Sequence, residues 1–295
     1  MAYPIVQVET ADGLWLHGLY LPTEKKETAF IFVHGTASNF YTEDFIEPLA
    51  EALSKRRMAL LSTNNRGADV FDAWEGRTGA AVEIFEECLL DIDAWAKFAL
   101  DEGYKAIVLA GHSLGTEKVV YYMAKGVYRD KISAVVLLAP ADSPRWRSYD
   151  SSRKVLGTGE TGKARVDLQV RDAEKLVSEG KGDELMIRSA YSGKMPKTPR
   201  SLLNFLGEGT EILKSLPFHS GKLDMYASIR VPIFVAIGDQ EEYTGIPIRD
   251  ALELMRKENP RTETVQLKGC DHVFTDCEDA LAQKLSGFID THKLA

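Results

Sequence analysis

Residues 106–116 read AIVLAGHSLGT, and this stretch decides the fold. Its apolar first half is typical of a buried β-strand, and a helix is predicted directly after it. Between the two lies the pattern Gly-x-Ser-x-Gly, centred on Ser113. A serine on so sharp a strand-to-helix turn needs small neighbours, which Gly111 and Gly115 supply. The turn therefore makes Ser113 a candidate nucleophile.

The start of the helix behind Ser113 adds a second chemical feature. The first N–H groups of a helix have no partner within it, and the helix dipole is positive at that end. An oxyanion that forms next to Ser113 would be stabilised there. The backbone N–H of Leu114 is the predicted donor.

Strands and helices alternate on both sides of this turn. Apolar runs and alternating patterns predict strands over 5–9, 14–20, 29–33, 58–62, 106–110, 134–139, 232–237 and 262–267. Helical spacing of apolar residues predicts helices over 45–57, 81–100, 116–125, 166–179, 201–216, 246–257 and 278–292. The first two strands, split by Ala11-Asp12-Gly13, read as an antiparallel hairpin at a sheet edge. The order of the rest predicts an α/β fold: a mostly parallel sheet with helices on both faces.

The segment 142–222 interrupts this alternation. It is rich in Ser, Gly, Lys, Arg and Pro, and no run in it has the apolar character of a core strand. We interpret it as a helical lid inserted after the sixth strand. The predicted core then consists of residues 1–141 and 223–295.

Composition excludes several classes of function. The 295 residues carry a formal net charge of −8, so the chain lacks the basic surface that nucleic acid requires. No run is long and apolar enough to span a membrane, and the first ten residues do not resemble a secretory signal. The three cysteines are an odd number in a long chain, which predicts reduced thiols rather than a disulfide framework. These observations predict a cytoplasmic protein with neither nucleic-acid nor membrane partners.

With these parts, the chain resembles the α/β-hydrolase superfamily over nearly its whole length. The resemblance implies an eight-stranded α/β-hydrolase fold with a lid between strands 6 and 7. It also implies that His34-Gly35-Thr36, after the third strand, forms an oxyanion loop. The backbone N–H of Thr36 is then the second oxyanion donor, and His34 holds the loop rather than transferring protons.

The resemblance also implies where the base and the acid lie. The family's catalytic histidine follows the last strand, and His272 occupies that place. The acid follows the seventh strand, where Gly238-Asp239-Gln240-Glu241-Glu242-Tyr243 offers three carboxylates. The family spacing favours Glu241, with Asp239 as the alternative acid. Asp142, after the sixth strand, is a third and weaker candidate.

Two further stretches carry a resemblance. Asn64-Asn65-Arg66-Gly67, after the fourth strand, is similar to an Asp-x-Arg-Gly turn of relatives and is assigned to holding the oxyanion loop. Residues 34–41 and 111–122 look similar to an uncharacterised hydrolase subfamily whose fungal members include siderophore esterases. Cys270 is interpreted as a small buried hydrophobe, and no spacing of Cys and His fits a metal site.

The resemblance therefore implies a serine hydrolase that cleaves a carboxylic ester of a small molecule through an acyl-enzyme, without a metal or cofactor. Thioesterase, peptidase and acyltransferase activities use the same residues and stay open. The alternative from another class is a non-catalytic ligand-binding protein, because this fold also serves as a receptor or scaffold.

Overall fold

The eight strands form one sheet, in the order β1-β2-β4-β3-β5-β6-β7-β8. The computed structural model describes residues 4–72, 76–144, 162–186, 195–240 and 242–295. The strands are β1 (Ile5–Glu9), β2 (Trp15–Leu21), β3 (Thr28–Val33), β4 (Ala59–Thr63), β5 (Ala106–His112), β6 (Ile132–Leu138), β7 (Ile233–Ile237) and β8 (Thr262–Gln266). The prediction of an eight-stranded, mostly parallel sheet is confirmed.

Strand pairing is antiparallel at one edge of the sheet and parallel in the rest. The hairpin of β1 and β2 is antiparallel, and β2 also runs antiparallel to β4. From β4 to β8 all neighbours are parallel. All residues of β3, β4 and β7 are buried, as expected for parallel strands that helices cover on both faces. The carboxyl ends of β3, β5 and β7 therefore meet at one edge of the sheet.

Helices cover both faces of the sheet. They are α1 (Ile46–Lys55), α2 (Cys88–Asp101), α3 (Leu114–Lys125), α4 (Gly162–Ser178), α5 (Pro199–Leu206), α6 (Ile212–Ser215), α7 (Asp224–Ala227), α8 (Ile248–Glu258) and α9 (Glu278–His292). Side chains from α2, α3 and α8 pack in the hydrophobic cluster on one face, and those from α1 and α9 pack in the cluster on the other. No helix among these described residues is both long and apolar enough to cross a membrane.

Two of the predicted helices differ most from the observed ones. The helix predicted to begin at Ala81 begins at Cys88, after a 3-10 turn over Phe85–Glu87, because the preceding residues hold contacts to other loops instead. The helix predicted over 201–216 is divided into α5 and α6. The break begins at Gly207, which caps α5 and lacks a side chain to continue the apolar face.

The insertion, residues 142–222, contributes helices α4 to α6 and, in its described part, no core strand. Leu202 and Phe205 of α5 are fully buried in a third hydrophobic cluster. The same cluster contains Leu114 and Tyr121 of α3. The insertion thus packs directly on the helix that follows Ser113.

A buried lysine ties the insertion to the core. Lys197 is 1% exposed, and its Nζ donates hydrogen bonds to the main-chain oxygen of Ala80 (2.8 Å) and to Oγ of Ser201 (2.9 Å). The same Nζ lies 3.9 Å from the centre of the Phe205 ring. Burial lowers the pKa of Lys197 to about 7, although the carboxylate of Glu83 opposes this shift. Hydrogen bonds from the Lys197 amine therefore hold the insertion to the core, and this amine has a pKa near neutral pH.

This lowered pKa predicts a pH-dependent contribution to stability. The unfolded lysine takes up a proton below a pKa of ~10.4, whereas the folded one does so only near 7. The free energy of unfolding is therefore not reduced by Lys197 above the pKa of the unfolded lysine. It decreases as the pH falls from that value toward 7, and it does not change further below pH 7. As the pH falls from 9 to 8, we expect the free energy of unfolding of the native protein to decrease relative to that of Lys197→Met by ~1.4 kcal/mol per pH unit.

Urea unfolding of the two proteins at each pH measures this difference. Lys131→Met serves as the control, because Lys131 is exposed and its ammonium stays in water in both states. A pH-independent difference between the native protein and Lys197→Met would contradict the prediction.

Candidate active site

Ser113 lies at the sharp turn between β5 and α3. Its backbone has φ 54° and ψ −125°, a region that non-glycine residues rarely occupy and that marks a strained position. A Cβ on Gly115 would come within 2.3 Å of the main-chain oxygen of Val33 in β3, so only glycine fits there. The N–H of Ser113 donates to the main-chain oxygen of Leu138 in β6 (3.0 Å). The turn that carries Ser113 is thus fixed between the carboxyl ends of three neighbouring strands, β3, β5 and β6.

Leu114 is the first residue of α3 and is fully buried. Its N–H belongs to the first turn, where a helix leaves its donors without intrahelical partners. The other predicted oxyanion residue, Thr36, follows Gly35. A Cβ on Gly35 would lie 2.8 Å from the Cβ of Ser113, so this loop passes directly beside the nucleophile candidate. The structure thus brings both predicted oxyanion segments to Ser113.

His34 holds this loop from within. It is fully buried, and Nε2 accepts a hydrogen bond from the N–H of Asn65 (3.1 Å) while Nδ1 donates to the main-chain oxygen of Gly35 (2.7 Å). Burial, together with the nearby charge of Lys118, lowers the pKa of His34 to about 3, so the ring is neutral at ordinary pH. A neutral ring committed at both nitrogens supports the loop and cannot also serve as a base.

Asn65 connects the oxyanion loop to the helix behind Ser113. Its side-chain amide donates to the main-chain oxygen of His34 (3.3 Å), and its Oδ1 accepts from Nζ of Lys118 in α3 (2.8 Å). Lys118 also pairs with the buried carboxylate of Glu83. The neighbouring Arg66 anchors the same turn on the carboxylate of Asp91, with Nη2 to Oδ1 at 2.9 Å. These contacts agree with the predicted role of residues 64–67 in holding the loop.

His272 lies between β8 and α9, and its ring contacts an acid. Its Nδ1 is 2.9 Å from Oε2 of Glu242, whose side chain is only 1% exposed. The other oxygen of the same carboxylate, Oε1, accepts from the N–H of Gly238 (2.9 Å). The rings of Tyr243 and His272 pack in a T-shaped arrangement, with ring centres 4.4 Å apart. A carboxylate held at both oxygens fixes the histidine ring and leaves its Nε2 to exchange protons.

The other acids considered in the sequence lie elsewhere. The carboxylate of Asp239 accepts from the N–H of Gly269 (2.9 Å), so it braces the turn between two loops. Asp142 pairs with Nδ1 of His219 in the insertion (2.6 Å). Glu241, the favoured acid, lies outside the described residues. Among the described residues, the carboxylate in contact with the His272 ring is that of Glu242, one position beyond the favoured residue.

Nothing in the sequence favoured Glu242 over its neighbours as the acid that contacts His272. The family spacing counts three residues from Gly238, where relatives carry a shorter Asp. A Glu has one more methylene group, so a residue one position further along the turn can still place its carboxylate on the ring. Because several acids are adjacent, the one that reaches His272 depends on the path of the loop after Gly238. Local sequence patterns do not determine that path.

The cysteines also differ from expectation. Cys270 and Cys277 form a disulfide, with Cα atoms 6.1 Å apart, so the prediction of a free, reduced Cys270 is wrong. The turn that carries His272 folds back before α9 and brings the two thiols within bridging distance. Cys88 is free and buried. Reduced thiols therefore no longer support the prediction of a cytoplasmic location.

The disulfide closes the loop that carries His272, and its reduction should have a measurable effect. A closed loop of this size stabilises a fold by about 2.5 kcal/mol in the chain-entropy treatment. We expect a phosphine reductant to lower the free energy of unfolding by about this amount. Urea unfolding with and without the reductant measures it. The double variant Cys270→Ser, Cys277→Ser should start at the lower value and not respond to the reductant; a response would contradict the assignment.

Comparison with known families identifies the chain. A family model described as "Protein of unknown function (DUF1749)" matches residues 17–264. The chain belongs to the DUF1749 family. No curated protein matches this DUF1749 member in sequence.

Solved structures share the fold of this DUF1749 protein. An esterase from Pyrococcus furiosus is 18% identical, with a TM-score of 0.60, and the match covers 98% of this chain and 91% of that one. Est1E from Butyrivibrio proteoclasticus, solved with ferulic acid bound, is 16% identical at TM-score 0.68, covering 98% and 100%. A monoglyceride lipase variant from Saccharomyces cerevisiae is 14% identical at TM-score 0.68, covering 99% and 96%. These likenesses confirm the α/β-hydrolase fold.

Proposed function

We propose that this protein is a serine hydrolase that cleaves a carboxylic ester of a small molecule through an acyl-enzyme. The observation that carries the proposal is the hydrogen bond from Nδ1 of His272 to the buried carboxylate of Glu242, on the same sheet edge as the strained turn of Ser113. A serine after β5, an acid after β7 and an imidazole after β8 have the roles and chain order of an α/β-hydrolase triad. The esterase and lipase names of the structural neighbours agree with this assignment.

In the first half of the reaction Ser113 attacks the ester carbonyl. Nε2 of His272 takes the hydroxyl proton as the Oγ–C bond forms, and the resulting imidazolium is stabilised by Glu242. The carbonyl oxygen becomes an oxyanion, for which the N–H groups of Thr36 and Leu114 are the proposed donors. The tetrahedral intermediate then collapses. His272 returns the proton to the leaving alcohol, and the acyl group stays on Ser113.

In the second half water replaces the alcohol. His272 removes a proton from the water as it attacks the acyl carbon, and the same two N–H groups hold the second oxyanion. Collapse breaks the Oγ–C bond, His272 reprotonates Ser113, and the carboxylic acid leaves. The neutral, fully bonded His34 takes no part in these transfers. Its work is to hold the loop that presents Thr36.

We also propose that residues 142–222 act as a lid that shapes the acyl pocket. The support is that Leu202 and Phe205 share a hydrophobic cluster with Leu114, the residue next to the proposed nucleophile. Apolar side chains in a cluster that reaches the residue after Ser113 favour substrates with an apolar acyl or aryl group. The core of residues 1–141 and 223–295 would then supply the chemistry, and the insertion the selectivity.

A fluorophosphonate probe tests the function directly. It reacts with serines activated by a neighbouring base, so we expect stoichiometric labelling of the native protein, with Ser113 as the modified residue by peptide mass spectrometry. A panel of p-nitrophenyl esters of increasing chain length, with matched thioesters and anilides, then ranks the acyl group and bond type. Faster cleavage of thioesters or anilides than of esters would replace esterase by thioesterase or peptidase. Absence of labelling and turnover would favour the non-catalytic ligand-binding alternative.

A further inference from the structure

We infer that His112, the residue before Ser113, is a positioning residue that holds the loop of His272 through a hydrogen bond to its main chain. This inference rests on the proposed function, because it assigns a part in that reaction. No step of the mechanism above uses His112. Its ring nevertheless lies against the base, with the two imidazole centres 5.0 Å apart.

The contact itself has a defined direction. Nε2 of His112 lies 2.8 Å from the main-chain oxygen of His272. A carbonyl oxygen can only accept, so Nε2 carries the proton and donates it. The bond joins the end of β5 to a loop 160 residues further along the chain. The residue that precedes the nucleophile thus fixes the backbone of the residue that serves as its base.

The other ring nitrogen fixes the tautomer. Nδ1 of His112 is buried without a hydrogen-bond partner among the described residues, and it faces Oε1 of Glu43 at 3.7 Å. That carboxylate accepts a hydrogen bond from Oγ of Ser38 in the oxyanion loop (2.6 Å). Moving the proton to Nδ1 would turn a lone pair toward the main-chain oxygen of His272. The arrangement with the proton on Nε2 is therefore the one that the contacts favour.

The surroundings of His112 are otherwise apolar. The rings of Phe45 and Phe274 lie 5.4 and 6.3 Å from it, and its side chain is 3% exposed. Burial lowers the pKa of His112, and the nearby His272 lowers it further, so the ring is neutral. An apolar side chain would fill this space without leaving Nδ1 unpaired. The hydrogen bond to His272 is the property that only a donor of this length provides.

The bond supplements the contacts that orient the base. Glu242 fixes the ring of His272 through Nδ1, and the brace from Asp239 to Gly269 and the disulfide hold the loop at other residues, but none of these contacts bonds the main chain of His272. The His112 bond holds the main chain of the same residue. Displacing a reacting group by about 1 Å can lower turnover ~10²-fold. Loss of the bond should therefore lower kcat while KM changes little.

Two variants separate the donor from the packing. His112→Leu keeps the volume and removes the donor, whereas the Nε2 of glutamine in His112→Gln can take the place of the histidine Nε2. On the best p-nitrophenyl ester we expect kcat to fall ~10²-fold in His112→Leu and to recover at least tenfold of that loss in His112→Gln. KM should stay within about twofold in both. Equal activity of His112→Leu and the native protein, or equal losses in the two variants, would overturn the inference.

A measurement on the native protein stands independently of both variants. Nitrogen-15 NMR of the histidine rings reports which nitrogen is protonated, and we expect the Nε2–H form at His112 with a slowly exchanging proton. An Nδ1–H form, or rapid exchange, would overturn the inference even if His112→Leu does not fold. The native protein also separates the two claims. If it hydrolyses no ester, the proposed function fails; if it is active but shows the wrong tautomer, only the positioning role fails.

Discussion

Ser113→Ala is expected to lower turnover of a p-nitrophenyl ester by about 10⁶, because loss of a triad nucleophile removes covalent catalysis altogether. The change deletes one oxygen and keeps the Cβ, so the strained backbone at φ 54° is no harder to form than in the native chain. The melting temperature should therefore stay within a few degrees of the native value. Initial rates and circular dichroism on the same preparation measure both.

The control for this variant is an exposed serine outside the site. Ser228 lies in the turn after α7, where its Oγ donates to the main-chain oxygen of Met225. Ser228→Ala should keep full activity and full fluorophosphonate labelling. A Ser113→Ala protein that stays folded and hydrolyses the ester at more than a few per cent of the native rate would place the chemistry elsewhere.

Glu242→Gln is expected to lower turnover by ~10⁴, because an amide in place of the orienting carboxylate favours the wrong tautomer of the histidine and removes the partner of the imidazolium. The glutamine oxygen can still accept from the N–H of Gly238, so the turn should be kept. The measurement is kcat near neutral pH, together with the labelling rate of Ser113. Both should fall, since both depend on the base.

Two neighbouring acids provide matched controls. In Asp239→Asn the Oδ1 still accepts from the N–H of Gly269, so we expect a loss of less than ~10-fold. Glu241→Gln tests the residue that the family spacing favoured. A ~10⁴-fold loss in Glu241→Gln with an active Glu242→Gln would restore Glu241 as the acid and withdraw Glu242.

The strands and the turn of Ser113 could be predicted because their signals are local. Five apolar residues before Gly111 and a helical pattern after Gly115 specify a strand, an elbow and a helix without reference to the rest of the chain. The same holds for α9, whose observed bounds, Glu278–His292, match the prediction. Positions of this kind follow from periodicity and turn chemistry alone.

The features that could not be predicted are set by contacts between distant loops. The contact of Glu242 with His272 joins loops 30 residues apart, and that of His112 with His272 joins positions 160 apart. The disulfide spans only seven residues, but an odd cysteine count says nothing of which pair a turn brings together. In each case the distance between side chains depends on how a loop is folded, and no period in the sequence encodes it.

The site draws its parts from the two sides of the insertion. Ser113 and the oxyanion loop precede β6, whereas Glu242 and His272 follow β7 and β8. The half that carries the proposed nucleophile therefore cannot gain the proposed base until the last two strands add to the sheet edge. Catalytic activity would report completion of that edge during refolding, later than a spectroscopic signal from the first six strands. Two fragments divided within the insertion would be inert alone, and ester hydrolysis on mixing them would measure their reassembly.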